Sequence, residues 1–220
     1  MSIRLSHALC LLSLLTLGAC SLHFGAKHTG SGVLGTATRE CRTFDEIEAL
    51  GSIDIVVRIG DTHSVVVTGD DNLIEYVLTE VKGDRLHIRL DNGSYNLNKP
   101  LIVTVTLPAL EHAQLTGSGD VSITGLEQDS ISLVVVGSGD VTASGRVNDL
   151  EAHVTGSGDM ELRGLRARSV EATVQGSGDL SLTAEEKLNA SVQGSGDIDY
   201  WGGPQDLEKV TRGSGSITGH

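Results

Sequence analysis

The residues with the clearest chemical potential are five aspartates that recur at nearly constant spacing. Each ends a copy of the tetrapeptide Gly-Ser-Gly-Asp, and successive copies begin 20, 19, 20 and 18 residues apart. Carboxylates stacked on consecutive turns of a chain could supply the oxygen ligands that Ca²⁺ prefers. They could equally accept hydrogen bonds from turn amides, as aspartate commonly does. The five are Asp120, Asp140, Asp159, Asp179 and Asp197.

The turn role is the stronger of these two interpretations. Ca²⁺ takes about six to eight oxygen ligands, and the nonapeptide of calcium-binding RTX repeats is absent from the sequence. Two like charges stacked about 4.8 Å apart repel by roughly 1 kcal/mol in water, so the column must be solvated, hydrogen bonded or neutralised. We therefore expect structural carboxylates and keep a row of cation sites as the alternative.

The repeat predicts the fold. Between tetrapeptides the apolar residues alternate, as at Ile131, Leu133 and Val135, which is typical of strands with one buried face. Short strands and a corner recurring about every 20 residues predict an all-β solenoid, a single-stranded right-handed parallel β-helix. A sixth, degenerate copy stands at Gly213–Ser216. A propeller blade would need about 40 residues, and the leucine-rich consensus is missing.

The paired glycines of each corner need their own reason, because glycine in ordered structure costs about 0.5–1 kcal/mol relative to alanine. A corner with positive φ, or backbones too close for a Cβ, would explain them. Residues 39–110 are β-rich but less regular, and Gly51–Asp54 looks like a decayed corner. We expect this half to form the opening rungs and cap of the same solenoid. Asp71–Val77 is interpreted as one helical turn capped by Asp71 or Asn72.

The N-terminal residues carry a targeting signal rather than part of the fold. Arg4 supplies a positive charge and Ala8–Leu17 a short apolar stretch, as in a secretory signal. Leu17-Gly18-Ala19-Cys20 resembles the lipobox of bacterial lipoproteins, with a plain secretory signal as the alternative. That resemblance implies cleavage before Cys20, lipid attachment there, and, with Ser21 next, sorting to the outer membrane. Residues 21–38 are interpreted as a flexible tether of up to about 60 Å.

Composition excludes some functions and leaves others without support. The formal net charge of −13 argues against a nucleic-acid partner. After removal of the signal and lipidation of Cys20, Cys41 would be alone, so we expect a half-buried thiol and no internal disulfide. No catalytic, metal or cofactor motif stands out, and we expect neither an enzyme nor a cofactor. Outside the predicted signal, the histidines are scattered at positions 23, 28, 63, 87, 112, 153 and 220.

A contact patch is the remaining candidate site. Tyr200 and Trp201 are adjacent aromatic residues that could form a platform for a sugar, although a buried cap is the favoured interpretation. The residues before each glycine corner should also stack into a flat outward column, which could serve binding or simply stabilise the strands. That column comprises Thr116, Val136, Thr155, Gln175 and Gln193.

Taken in order, several segments resemble the head GIN domain family, which carries the label of auto-transporter adhesin. They are FDEIEALGSIDIVVRIGD, DDNLIEYV, GDRLHIRL, VTVTLPALEHAQLTGSGDV and the closing Tyr200–Pro204 and Gly213–Ser216. The resemblance spans about residues 39–220 and implies a parallel β-helix in the bacterial envelope. We therefore expect a lipid-anchored, non-enzymatic envelope protein with an adhesin-like or structural role and a protein or glycan partner. A carbohydrate- or Ca²⁺-binding module is the alternative, with a polysaccharide-acting enzyme third.

Overall fold

The computed structural model describes residues 27–220. The predicted signal, the lipidation at Cys20 and the first part of the predicted tether lie outside the described residues. The strands of the first half are β1 (Lys27–Thr29), β2 (Leu34–Arg39), β3 (Glu46–Gly51), β4 (Asp54–Ile59), β5 (Ser64–Asp70), β6 (Val77–Lys82), β7 (Arg85–Leu90), β8 (Ser94–Asn96) and β9 (Ile102–Leu107). Those of the second half are β10 (His112–Gly117), β11 (Val121–Gly137), β12 (Val141–Gly156), β13 (Met160–Gly176), β14 (Leu180–Gly194), β15 (Ile198–Trp201), β16 (Asp206–Gly213) and β17 (Ile217–Gly219).

The second half is a parallel β-solenoid, as the repeat predicts. Each of the long strands β11 to β14 runs from one Gly-Ser-Gly corner to the next and pairs in parallel with the strand of the following turn. Its first part lies on one face and its last part on another, with an irregular bend between them. Corner stacks on corner in register, since Gly137 pairs with Gly117 on one side and Gly156 on the other.

The first half supplies opening rungs, also as expected, but in a spatial order that the sequence order does not give. β3 pairs in parallel with β10, and β4 pairs in parallel with the start of β11. On its other edge, β3 pairs in parallel with β7, and β4 likewise pairs in parallel with β9. Both partners come later in the chain than β3 and β4. The chain thus lays down one rung, builds a second rung outside it, and returns to continue the solenoid in the other direction.

Antiparallel strands close this outer end. β6 pairs with β7, β5 pairs with β9, and β2 pairs with β5, all antiparallel. A short 3₁₀ helix at Ile74–Tyr76 fulfils the predicted helical turn. Its N-cap is Leu73, without a side-chain cap hydrogen bond, so the predicted capping by Asp71 or Asn72 is wrong. We call β1, β2, β5, β6, β8 and this helix the N-terminal cap.

The predicted tether is corrected in its second part. Lys27–Thr29 pairs with β8, and Leu34–Arg39 pairs with β5, so these residues belong to the folded domain. The sequence obscured them because their partners are distant strands and because the stretch is rich in glycine, serine and threonine. Pairing satisfies their backbone groups without requiring the apolar alternation that identifies a half-buried strand.

The core follows the alternation read from the sequence. Inward side chains of successive turns stack in columns, such as Leu115, Val135, Val154, Val174 and Val192. All of these are at most 1% exposed. Because small residues such as Ala152, Ala172 and Ala190 fill the neighbouring column, the two faces can approach closely. This packing fixes the corners that carry the candidate site.

Candidate functional site

The glycines of each corner are required by the close stacking of the turns. The Gly137 carbonyl oxygen accepts hydrogen bonds from the amides of Ser157, at 2.8 Å, and Gly158, at 3.1 Å. Gly156 has a φ of 126°, a conformation that other residues rarely adopt. A Cβ on Gly158 would lie 2.2 Å from the Gly139 carbonyl oxygen of the preceding turn. The first glycine therefore serves conformation and close approach, and the second serves close approach.

The aspartate column continues this ladder through its side chains. The Asp159 amide donates to Asp140 Oδ1 at 2.9 Å, and the Asp179 amide donates to Asp159 Oδ1 at 2.8 Å. The same bond joins each member to the next. The column begins one turn earlier than the sequence indicated, at Asp54, because the Asp120 amide donates to Asp54 Oδ1 at 3.1 Å. It ends at Ser216, whose amide and hydroxyl both donate to Asp197 Oδ1, at 2.7 and 2.8 Å.

This geometry gives each carboxylate a structural role. One oxygen of every aspartate in the column accepts a hydrogen bond from a backbone amide of the next turn, which for the five repeat aspartates lies 18 to 20 residues away in the chain. Among residues 27–220 there is no group of three or more His, Cys, Asp or Glu side chains arranged to hold a metal ion. Cation binding along the column stays a prediction. The decayed corner Gly51–Asp54 joins the same ladder, since Ser52 Oγ lies 3.0 Å from Ser118 Oγ.

Tyr200 and Trp201 lie at the C-terminal end of the solenoid. Tyr200 is 9% exposed and packs into the core, whereas Trp201 is half-buried. The Arg163 guanidinium lies 4.3 Å from the Trp201 ring centroid, and the His220 ring stacks on it at 4.7 Å and 17°. Because Arg163 belongs to an earlier turn and His220 to the last one, both faces of the indole are covered. A sugar ring could stack on Trp201 only after one of these groups moved away.

Cys41 offers little nucleophilic character. It is half-buried and packs against the core cluster. Burial raises the pKa of the Cys41 thiol, and the positive charge of Arg39 offsets this only in part. Since the thiolate is the reactive form, the side chain is poorly suited to catalysis at neutral pH.

The outward face that precedes each corner is flat and regular. Thr116, Val136, Thr155, Gln175 and Gln193 stand in register on adjacent strands, as the spacing predicts, and Arg212 ends the column. Four to six residues before this column in the chain, an open groove of about 490 Å³ is lined by Glu111, Ser132, Glu151, Ser169 and Glu171. The pKa of the Glu151 carboxyl is lowered by its hydrogen bond with His153, at 2.8 Å. No motif in the sequence groups these residues.

Sequence reasoning missed Asp70, the one buried charged side chain among the described residues. Its Oδ1 accepts from the Gly32 amide at 2.7 Å, and its Oδ2 accepts from the amides of Asn98 at 2.8 Å and Lys99 at 3.0 Å. Burial tends to raise the pKa of Asp70, but the donors Lys99, Asn98 and Gly32, with the Lys99 charge, hold it below its usual value. We call this arrangement the Asp70 knot. No local motif announces it, because its partners are 28 to 38 residues away.

The comparisons with known proteins agree with this architecture. Residues 43–204 match the family described as "Putative auto-transporter adhesin, head GIN domain". The fold and the stacked Gly-Ser-Gly corners define a parallel β-solenoid. The chain belongs to the head GIN domain family. None of the curated proteins compared with the chain matches it.

Several solved structures share the fold. A putative adhesin from Bacteroides fragilis is 26% identical with a TM-score of 0.74, over 87% of this chain and 99% of that one. A putative lipid binding protein from Parabacteroides distasonis is also 26% identical, with a TM-score of 0.55 over 88% and 99% of the two chains. A putative adhesin from Parabacteroides merdae, at 19% identity and a TM-score of 0.51 over 89% and 100%, shows likeness of fold alone. Within residues 27–220, no helix is long and apolar enough to span a membrane.

Proposed function

We propose that this chain is a lipid-anchored, non-enzymatic adhesin-like protein of the bacterial cell envelope. Cys20 carries the lipid, the sorting is to the outer membrane, and the solenoid presents a surface to a protein or glycan partner. The observation that carries the proposal is the adhesin-family solenoid over residues 43–204, preceded by Leu17-Gly18-Ala19-Cys20. A cysteine so placed fits lipid attachment, and several acyl chains give stable anchoring where one does not.

The flat outward column is the surface that best fits adhesion. Its stacked threonine and glutamine side chains repeat at the spacing of the strands, so one shallow contact can be multiplied along the solenoid. Thr155, Gln175 and Gln193 are exposed. By contrast, the carboxylates of the corner column bind backbone amides, and Trp201 is covered on both faces. The neutral column is therefore preferred over both as the contact surface.

Labelling with a palmitate analogue, followed by cell fractionation, tests the anchor. The wild-type chain should be labelled and recovered with membranes, whereas Cys20→Ala should be unlabelled and released. Cys41→Ala is the matched control and should behave like wild type. Equal labelling of wild type and Cys20→Ala, or no labelling of either, would refute lipid attachment at Cys20.

A bead assay tests adhesion separately. Beads coated with residues 21–220 should retain intact cells of the source bacterium or bind surfaces coated with mucin or collagen. Thr155→Lys/Gln175→Lys should reduce binding at least tenfold because two charges enter the neutral column. Ser122→Lys/Thr142→Lys, at the starts of β11 and β12 on the other face of the solenoid, should leave binding unchanged. Absence of binding to all three surfaces, or equal loss in both variants, would contradict this role for the column.

A further inference from the structure

Exposed apolar side chains concentrate at the N-terminal cap. Val33 is 58% exposed, Leu34 61% and Leu97 38%, whereas the fourth large exposed apolar residue within residues 27–220, Leu207, lies at the opposite end. We call Val33, Leu34 and Leu97 the N-terminal patch. Large apolar side chains grouped at one place mark a contact surface more often than the same residues scattered singly.

The Asp70 knot brings the patch together. Leu97 lies between Asn96, whose carbonyl accepts from the Gly30 amide at 2.8 Å, and Asn98, whose amide donates to Asp70. On the other segment, the Val33 carbonyl accepts from the Asp71 amide at 2.9 Å, and Leu34 pairs with Asp70 across the β2–β5 ladder. All three apolar residues are thus carried by backbone fixed to one carboxylate. A fixed patch loses little conformational entropy on contact.

The position of Cys20 decides which surface this patch meets. Lys27, the first residue of β1, is seven residues after Cys20. At about 3.3–3.6 Å per residue, the intervening chain spans no more than about 25 Å. The correction of the tether is what shortens this reach from about 60 Å. A lipid on Cys20 therefore holds the N-terminal cap close to the headgroups of the bilayer.

We infer that the N-terminal patch rests on the lipid surface and orients the solenoid away from the membrane. This rests on the proposed lipid attachment at Cys20. The contact is apolar rather than electrostatic, because a chain with a formal net charge of −13 has no general attraction to anionic headgroups. Zwitterionic lipid is accordingly sufficient. Since the anchor supplies a high local concentration, three side chains are enough to bias the orientation.

A tryptophan reporter tests the contact directly. The chain starting at Cys20, carrying Cys41→Ala, is coupled through Cys20 to maleimide lipid in phosphatidylcholine vesicles. In L34W/W201F, replacing the lipid by its brominated form should quench the fluorescence at least twofold. The parent with Trp201, at the far end of the solenoid, should lose less than a tenth. Adding V33S/L97S to the reporter should remove most of the quenching. An unchanged thermal unfolding curve of this variant verifies that the cap is still folded.

The chemical coupling separates this inference from the proposed function. It enforces anchoring whether or not cells acylate Cys20, so palmitate labelling can fail while the patch still meets lipid, and the reverse. Equal quenching of the two tryptophans, or quenching that survives V33S/L97S, would overturn the inference. So would a concentration-dependent blue shift of the reporter without lipid, since that result would assign the patch to a second copy of the chain.

Discussion

At the scale of single residues, one oxygen of each corner aspartate is assigned to a backbone amide of the next turn. Each of these hydrogen bonds stabilises the stacking of two turns. The aspartates of adjacent turns, about 4.8 Å apart, carry the same negative charge and repel each other. Attraction to the amide and repulsion along the column therefore oppose each other. Their balance distinguishes a structural column from a cation site.

Substitution of Asp159, in the middle of the column, should separate the hydrogen bond to the amide from the repulsion between carboxylates. Asp159→Asn keeps an oxygen for the Asp179 amide and removes a charge, so the free energy of unfolding should change by less than about 0.5 kcal/mol. Asp159→Ala removes the acceptor and should cost about 1 kcal/mol. Urea denaturation measures both. If Asn is as harmful as Ala, the hydrogen bond is not what the carboxylate supplies.

The structural role and the cation alternative make opposite predictions for the effect of Ca²⁺ on the melting temperature. With its Oδ1 atoms committed to amides, the chain should melt at the same temperature in EDTA and in millimolar CaCl₂. Calorimetry measures this on the unmodified chain. A rise of several degrees in Ca²⁺, abolished by Asp140→Asn/Asp159→Asn, would show that the corners bind the cation.

The second corner glycine is predicted to tolerate no side chain. A Cβ on Gly139 would lie 2.0 Å from the Gly119 carbonyl oxygen and 2.9 Å from Leu115 Cδ2, so Gly139→Ala should destabilise by about 2–3 kcal/mol. Gly164→Ala is the matched control, because its nearest neighbour, Ser144 Cβ, would be 3.4 Å away. Thermal unfolding compares the two. Equal effects would mean that turn spacing is not what requires glycine at the corner.

Asp70 should make the N-terminal cap sensitive to acid. Its folded-state pKa lies below the ordinary value of 3.8, so its contribution to stability is present above that value and is lost as the pH falls through the folded pKa. Hydrogen exchange of the Gly32, Asn98 and Lys99 amides should therefore accelerate below about pH 4 relative to the solenoid core. Asp70→Asn should show fast exchange already at pH 7. Equal protection of cap and core at low pH would contradict this role.

At the scale of elements, the two ends of the solenoid solve the problem of open sheet edges differently. The N-terminal end adds antiparallel strands, whereas the C-terminal end places a lysine at an inward position. Lys209 pairs with Ala190 and so continues the column of Ala152 and Ala172. Its Nζ donates to the Ile217 carbonyl at 3.2 Å and lies 4.6 Å from the Tyr200 ring centroid. Inward charges on edge strands discourage pairing with another chain.

Removal of this charge should therefore promote end-to-end association. Lys209→Val continues the apolar column and should give concentration-dependent dimers or higher species in light scattering, while the parent stays monomeric under the same conditions. Lys187→Val, which removes an exposed charge on the neighbouring strand, serves as the control. Association of both variants would point to net charge rather than to the inward position.

How far the elements could be foreseen depends on how local their causes are. The regular turns and their corners followed from spacing and alternation, because each turn contacts only its neighbours. Even the decayed corner at Gly51–Asp54 could be recognised. The order of β3, β7 and β10 in space could not, since it depends on long-range pairing. Nor could β1 and β2, which are held by distant partners rather than by an apolar pattern of their own.

At the scale of the whole molecule, different segments along the solenoid have different roles. The N-terminal cap lies nearest to the proposed anchor, the regular turns supply a repeated outward face, and the last turn carries covered aromatic residues and a charged edge. All three assignments require that the turns be stacked in register. The stacking of corner on corner is therefore the central claim.

Disulfide scanning between corners tests that claim most directly. Equivalent positions of adjacent turns are about 4.8 Å apart, within the Cα separation of a disulfide, whereas positions two turns apart are too distant. In residues 21–220 with Cys41→Ala, Ser138→Cys/Ser157→Cys should form an internal disulfide under mild oxidation, and Ser138→Cys/Ser177→Cys should not. Rapid closure of the second pair with failure of the first would contradict the stacked corners on which the account depends.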